Sequence, residues 1–121
     1  MKSHKSLLER INKFKEENSK NLMFLRADSY LENIKQTIGN YSKGTLDREE
    51  MYNEIIKDLE TIKEGLKGYL SVLWNNNSKN KARDISSFSD AYLEIINIYD
   101  YFKNSFSLKN SYQVGNSNAD Q

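Results

Sequence analysis

The sequence predicts an all-α protein: an antiparallel bundle of three or four helices joined by short loops. Two long apolar stripes with strict three-four spacing carry that prediction, and no segment of strand periodicity or internal repeat competes with them. At 121 residues the chain is about one domain's worth. It reads as one bundle over residues 1–108, followed by a polar, flexible tail over 109–121.

The first stripe is Tyr52, Ile55, Leu59, Ile62, Leu66, Tyr69 and Leu73, widened by Met51, Ile56 and Leu70. Every gap is three or four residues, so these side chains share one face of a helix. Thr45 after Gly44 is the expected N-cap, with Asp47, Glu49 and Glu50 at the positive helix end. Asn75-Asn76-Asn77-Ser78 is the expected stop. A helix over 46–74 is roughly 43 Å long at about 1.5 Å per residue.

The second stripe is Ile85, Phe88, Tyr92, Ile95, Tyr99, Phe102 and Phe106, broadened by Ala91, Ile96 and Ile98. Asp84 is its expected N-cap, and the helix is expected over 85–107, roughly 34 Å. The shorter length leaves an uncovered end on the first helix near Tyr69 to Trp74. Strict three-four spacing in both helices implies shallow crossing angles. The tail after Leu108 has almost nothing to bury.

Residues 1–44 are helical in two stripes, Leu7-Ile11-Phe14 and Phe24-Ala27-Leu31-Ile34-Ile38-Tyr41, which do not stay in phase across residues 16–21. They form either one bent helix over 4–41 or two helices meeting between Asn18 and Ser29. Ser29-Tyr30-Leu31-Glu32 fits a capping box and favours a restart near Asp28. Nothing in 18–29 is Gly or Pro, so nothing forces a break; matching helix lengths favours one.

Composition excludes much chemistry. With no cysteine there is no disulfide framework, thiol nucleophile or zinc ribbon. A single histidine, His4, rules out a multi-histidine metal site, and His4 has no visible catalytic partner. A bundle di-iron centre needs inward Glu residues and Glu-x-x-His pairs. No such pair exists here, and Glu54, Asp58 and Glu94 lie off the apolar stripes, on faces expected to be solvated. No cofactor is expected. No apolar run approaches the roughly 20 residues of a membrane span, and two leucines after the basic start do not make a secretory core. The expected location is the cytoplasm.

Gly65 and Gly68 sit within the long helix, where each costs about 1 kcal/mol relative to Ala. The expected reason is close packing by a bulky neighbour (Trp74, Phe102 or the first helix), with a flat surface for an external helix as the alternative. Most of the 8 tyrosines fall on the stripes. Trp74, Tyr101 and Tyr112 do not, and they are the candidate partner contacts, because exposed aromatics commonly anchor interfaces.

Charge is uneven although it sums to +1. Residues 1–44 carry 9 basic and 5 acidic groups, whereas 75–83 carries Lys79, Lys81 and Arg83 with no acid. Lys13, Lys15 and Lys20 with Lys79, Lys81 and Arg83 are the candidate phosphate contacts, provided folding brings them together. Arg is scarce and no helix-turn-helix pattern is visible, which weighs against base readout.

The expected function is therefore a non-enzymatic bundle that binds another protein, as an adaptor, chaperone, immunity factor or inhibitor of a bacterial, phage or plasmid system. The alternative is a nucleic-acid-associated accessory protein using the basic N-terminal helix and the 79–83 loop. No membrane partner is expected, and a homodimer is one way to bury the uncovered helix end.

Overall fold

The computed structural model describes residues 2–77 and 79–106, with side chains from residue 5 onward. The polar tail and Leu108 lie outside the described residues. Within them, five α-helices follow one another: α1 (Lys2–Glu17), α2 (Ser19–Phe24), α3 (Asp28–Ser42), α4 (Arg48–Trp74) and α5 (Lys81–Phe106). No described residue is in a strand.

The four long helices form an up-down-up-down bundle, with α2 a single-turn link at one end. Cross-helix contacts fix each direction. Asn33 of α3 meets Asp58 of α4, and Tyr99 of α5 meets Glu60 of α4. Asn18 and Asn21 meet Glu94 and Ser87, so the sequence rises along α1 and α2 as it falls along α5. Lys15 pairs with Asp28 and Glu32 across the seam between α1 and α3. Each helix thus lies antiparallel to two neighbours, and the ring closes around one core.

Both predicted stripes line that core. Ile55, Leu59, Ile62, Leu66 and Leu73 from α4 are buried with Phe88, Ile95, Phe102 and Phe106 from α5. The tyrosines of the stripes sit half-buried at the rim, packed against the core. Tyr52 stacks on Phe102 at 5.2 Å between centroids, and Phe102 stacks on Phe106 at 4.9 Å.

The N-terminal region is broken, as the length argument favoured, but by a different device. α2 is closed by Arg26, two residues beyond its last turn, at φ 57°. The Arg26 N–H bonds to Met23 O at 3.1 Å, and the Ala27 N–H to Leu22 O at 2.7 Å. These are the two bonds of a Schellman turn, with Leu22 and Ala27 supplying its buried apolar contact. α3 restarts at Asp28 with no side-chain cap, so Ser29 lies inside the helix and the expected capping box does not form.

The apparent loss of phase after Phe14 is also explained. Leu7, Ile11, Phe14, Asn18 and Leu22 are all buried at spacings of three or four, and the stripe runs on through a polar residue. The Asn18 amide donates to Phe14 O at 3.0 Å and to Glu94 Oε1 at 3.3 Å, which satisfies it.

Two helix starts differ from expectation. Asp47, not Thr45, caps α4. Its side chain accepts from the Glu50 N–H at 2.8 Å, while Glu50 accepts from the Asp47 N–H at 3.0 Å, a complete capping box. Thr45 instead closes a second Schellman turn after α3, its N–H on Asn40 O at 2.9 Å and Gly44 at φ 83°. α5 begins one turn earlier than Asp84, because the Asp84 N–H bonds back to Asn80 O at 2.9 Å. α4 and α5 are therefore matched at 27 and 26 residues, and the expected length difference disappears.

Candidate interaction surface

The end of the bundle where α2, the last turns of α4 and the first turns of α5 meet is built from aromatics. Phe24 packs on Tyr69 at 4.9 Å between ring centroids, and Tyr69 on Phe88 at 4.7 Å. With Leu66 and Leu73 turned into the core, helical geometry turns Val72 and Trp74 away from it. Trp74 is 68% exposed and Val72 56%; on α2, Met23 is 71% and Phe24 63% exposed. The asparagine run stops α4 here: the Asn75 amide donates to Ser71 O at 3.0 Å, and the Asn76 N–H bonds to Leu73 O at 3.2 Å.

Trp74 divides two adjoining hollows along the seam of α4 and α5. One, about 380 Å³, is lined by Lys67, Leu70 and Ser71 on α4 facing Ile85 and Ser89. The other, about 490 Å³, lies among Trp74, Lys81, Ala82, Ile85 and Ser86. The Lys81 ammonium stands 5.7 Å from the centre of the Trp74 ring.

The other sequence-derived candidates are dispersed. Tyr101 is not an open anchor: its ring is half-buried in the seam of α1 and α5, with the Arg10 guanidinium 4.0 Å from its centroid. Tyr112 lies outside the described residues. Lys15 is occupied by Asp28 and Glu32, while Lys13 is on the other flank of α1, close enough to stabilise the Glu94 carboxylate. Arg83 is 3.7 Å from Asp84. It lies one turn before Ser87, which takes a hydrogen bond from Asn21, the residue after Lys20. Lys81 lies on the opposite side of α5 beside Trp74, and Lys79 is exposed in the preceding loop. The six cations do not converge on a single patch.

Gly65 and Gly68 also depart from expectation. Both are exposed, and a Cβ on either would meet nothing within 4 Å. Among the described residues no bulky neighbour packs there, and the outward face of α4 is open at these positions.

The carboxylates missed by the stripe analysis are Asp58 and Glu94. Asp58 is only 4% exposed and accepts from Asn33 Nδ2 at 2.6 Å. Burial pushes its carboxyl above the usual range, and the Asn33 bond partly offsets this. Glu94 is also raised, mainly by burial, with Glu17 adding to the effect and Asn18 opposing it. Tyr99, desolvated and donating to Glu60 at 2.8 Å, is pushed up to about 12. The signal for Asp58 was its place beside Leu59 at the edge of the stripe, one turn after Ile55. Among the described residues no group of three or more Asp, Glu or His could hold a metal ion, and no helix is long and apolar enough to cross a membrane.

The end of the bundle carrying Trp74 thus presents exposed apolar and aromatic side chains, with the Lys81 ammonium beside the tryptophan ring. No protein-family model, curated protein or solved structure matches this chain.

Proposed function

We propose that this protein is a non-enzymatic helical bundle that binds another protein through the end carrying Trp74. The observation that supports the reading is the concentration of exposed apolar side chains at one end of the bundle. Among the described residues six large hydrophobics are exposed, and Met23, Phe24, Val72 and Trp74 belong to α2 and the last turn of α4. Exposed aromatic side chains, tryptophan above all, are the usual anchors of protein-binding surfaces. The separation of the basic residues weighs against the nucleic-acid reading, which needs one continuous cationic track.

The test is capture of partners from native lysate by the tagged chain, with and without nuclease, read by mass spectrometry. One protein in near-stoichiometric amount, indifferent to nuclease, is the expected result. Recovery that collapses with nuclease would transfer the assignment to nucleic acid.

A further inference from the structure

We propose that the groove between α4 and α5 beside Trp74 receives an acidic amphipathic helix from the partner protein. The proposal rests on the protein-binding reading above and adds the chemistry of what is bound. Charge is the first argument. Among the described residues no carboxylate lines either hollow, although the sequence has 17 Asp and Glu residues. Lys67 and Lys81 stand at opposite ends of the groove, and neither pairs with a carboxylate among the described residues. Lys81 instead lies over the Trp74 face, and Lys79 extends the cationic rim into the loop. A segment with carboxylates at both margins neutralises this rim, whereas a basic segment is repelled by it.

Shape is the second argument. The floor is apolar at Leu70 and Ile85, Trp74 stands exposed between the two hollows, and Ser71, Ala82 and Ser86 keep the walls low. Small walls let another backbone approach closely, and low polarity at the floor favours side-chain anchors. From Lys67 to Trp74 the groove follows two helical turns, about 10 Å. That span suits apolar anchors at i, i+3 or i+4, and i+7 of a docked helix.

Trp74 is the single tryptophan of the chain, so its emission reports directly on the groove. A random 16-residue peptide library is displayed against the full-length protein, and the enriched peptides are synthesised and titrated by Trp74 fluorescence. The expected peptides carry helically spaced apolar anchors flanked by Asp or Glu, and they shift Trp74 emission to the blue. The double substitution Lys67→Glu with Lys81→Glu is expected to weaken them at least tenfold, and Glu→Lys versions of the peptides to regain binding to that double variant. Circular dichroism of the variant, expected to match the native chain, separates lost binding from lost folding.

Enrichment of uncharged or basic peptides, absence of enrichment, or binding unmoved by the charge reversal would each overturn the proposal. Lysate capture distinguishes that failure from failure of the broader reading. A stoichiometric partner retained by the double variant leaves protein binding standing and removes the groove, whereas no partner at all removes both.

Discussion

Asn33 of α3 donates its side-chain amide to the Asp58 carboxylate of α4 at 2.6 Å, and that carboxylate is almost wholly buried. The pair ties together two antiparallel helices at the centre of their seam. It also places an ionisable group where desolvation disfavours its charged form.

A pH dependence follows, and its sign is fixed by the direction of the shift. A carboxyl raised in the folded state binds its proton more tightly there than in the unfolded chain. Its contribution is therefore fully present below its ordinary value of 3.8 and is lost as pH rises through the higher folded value. Asp58→Asn keeps an acceptor for Asn33 and removes the charge. It is expected to raise stability at neutral pH by about 1 kcal/mol and to flatten the pH dependence above 4. Urea unfolding of both proteins between pH 4 and pH 7 measures this.

The two Schellman turns supply a paired comparison. Gly44 holds its positive φ without a Cβ penalty, while Arg26 holds the same backbone region with one. Gly44→Ala is expected to destabilise by about 1 kcal/mol, and Arg26→Gly to stabilise by about 0.5–1 kcal/mol. Thermal unfolding should show opposite displacements; equal signs would contradict the assignment of strain to Arg26.

Gly65 and Gly68 behave differently because they are helical, exposed and surrounded by open space. Ala at either position is expected to add about 0.5–1 kcal/mol by lowering the backbone entropy of the unfolded chain. A loss of stability in chemical denaturation would show that something does pack against them.

Asn18 sits beside Glu94, whose carboxyl is already raised by burial and by Glu17. Asn18→Asp would place a further carboxylate there and remove the donor that steadies Glu94. Its cost is expected to be about 2 kcal/mol at pH 7 and to shrink toward acid pH, as protonation removes the repulsion. A cost independent of pH would indicate a steric origin.

How far the fold was legible depended on whether the information lay in apolar spacing. Residues from Tyr52 to Leu73 and from Ile85 to Phe106 announced both long helices, because each turn repeats the same apolar signal. Asn18 hid the continuity of the N-terminal stripe: a buried amide satisfied by Phe14 and Glu94 looks like a surface residue in sequence. Arg26 hid the break, since a left-handed arginine has no compositional mark comparable to Gly or Pro. Asp58 read as solvated because its burial depends on Asn33, 25 positions away. Trp74 was legible as an off-stripe aromatic beside a helix stop. The groove beside it was not, because α5 starts a turn earlier than Asp84 and brings Lys81 and Ile85 to that side. Tyr101 has the same off-stripe spacing but is covered by Arg10, a contact between α1 and α5 that spacing cannot reveal.

The most direct measurement is partner capture by the native chain and by Trp74→Ala, side by side from one lysate with nuclease present. Trp74 is mostly exposed, so its truncation is expected to change stability by no more than about 0.5 kcal/mol. One stoichiometric protein is expected on the native chain, with at least a tenfold loss on the folded variant. Equal recovery by the two would contradict this and place the binding surface away from the Trp74 end of the bundle.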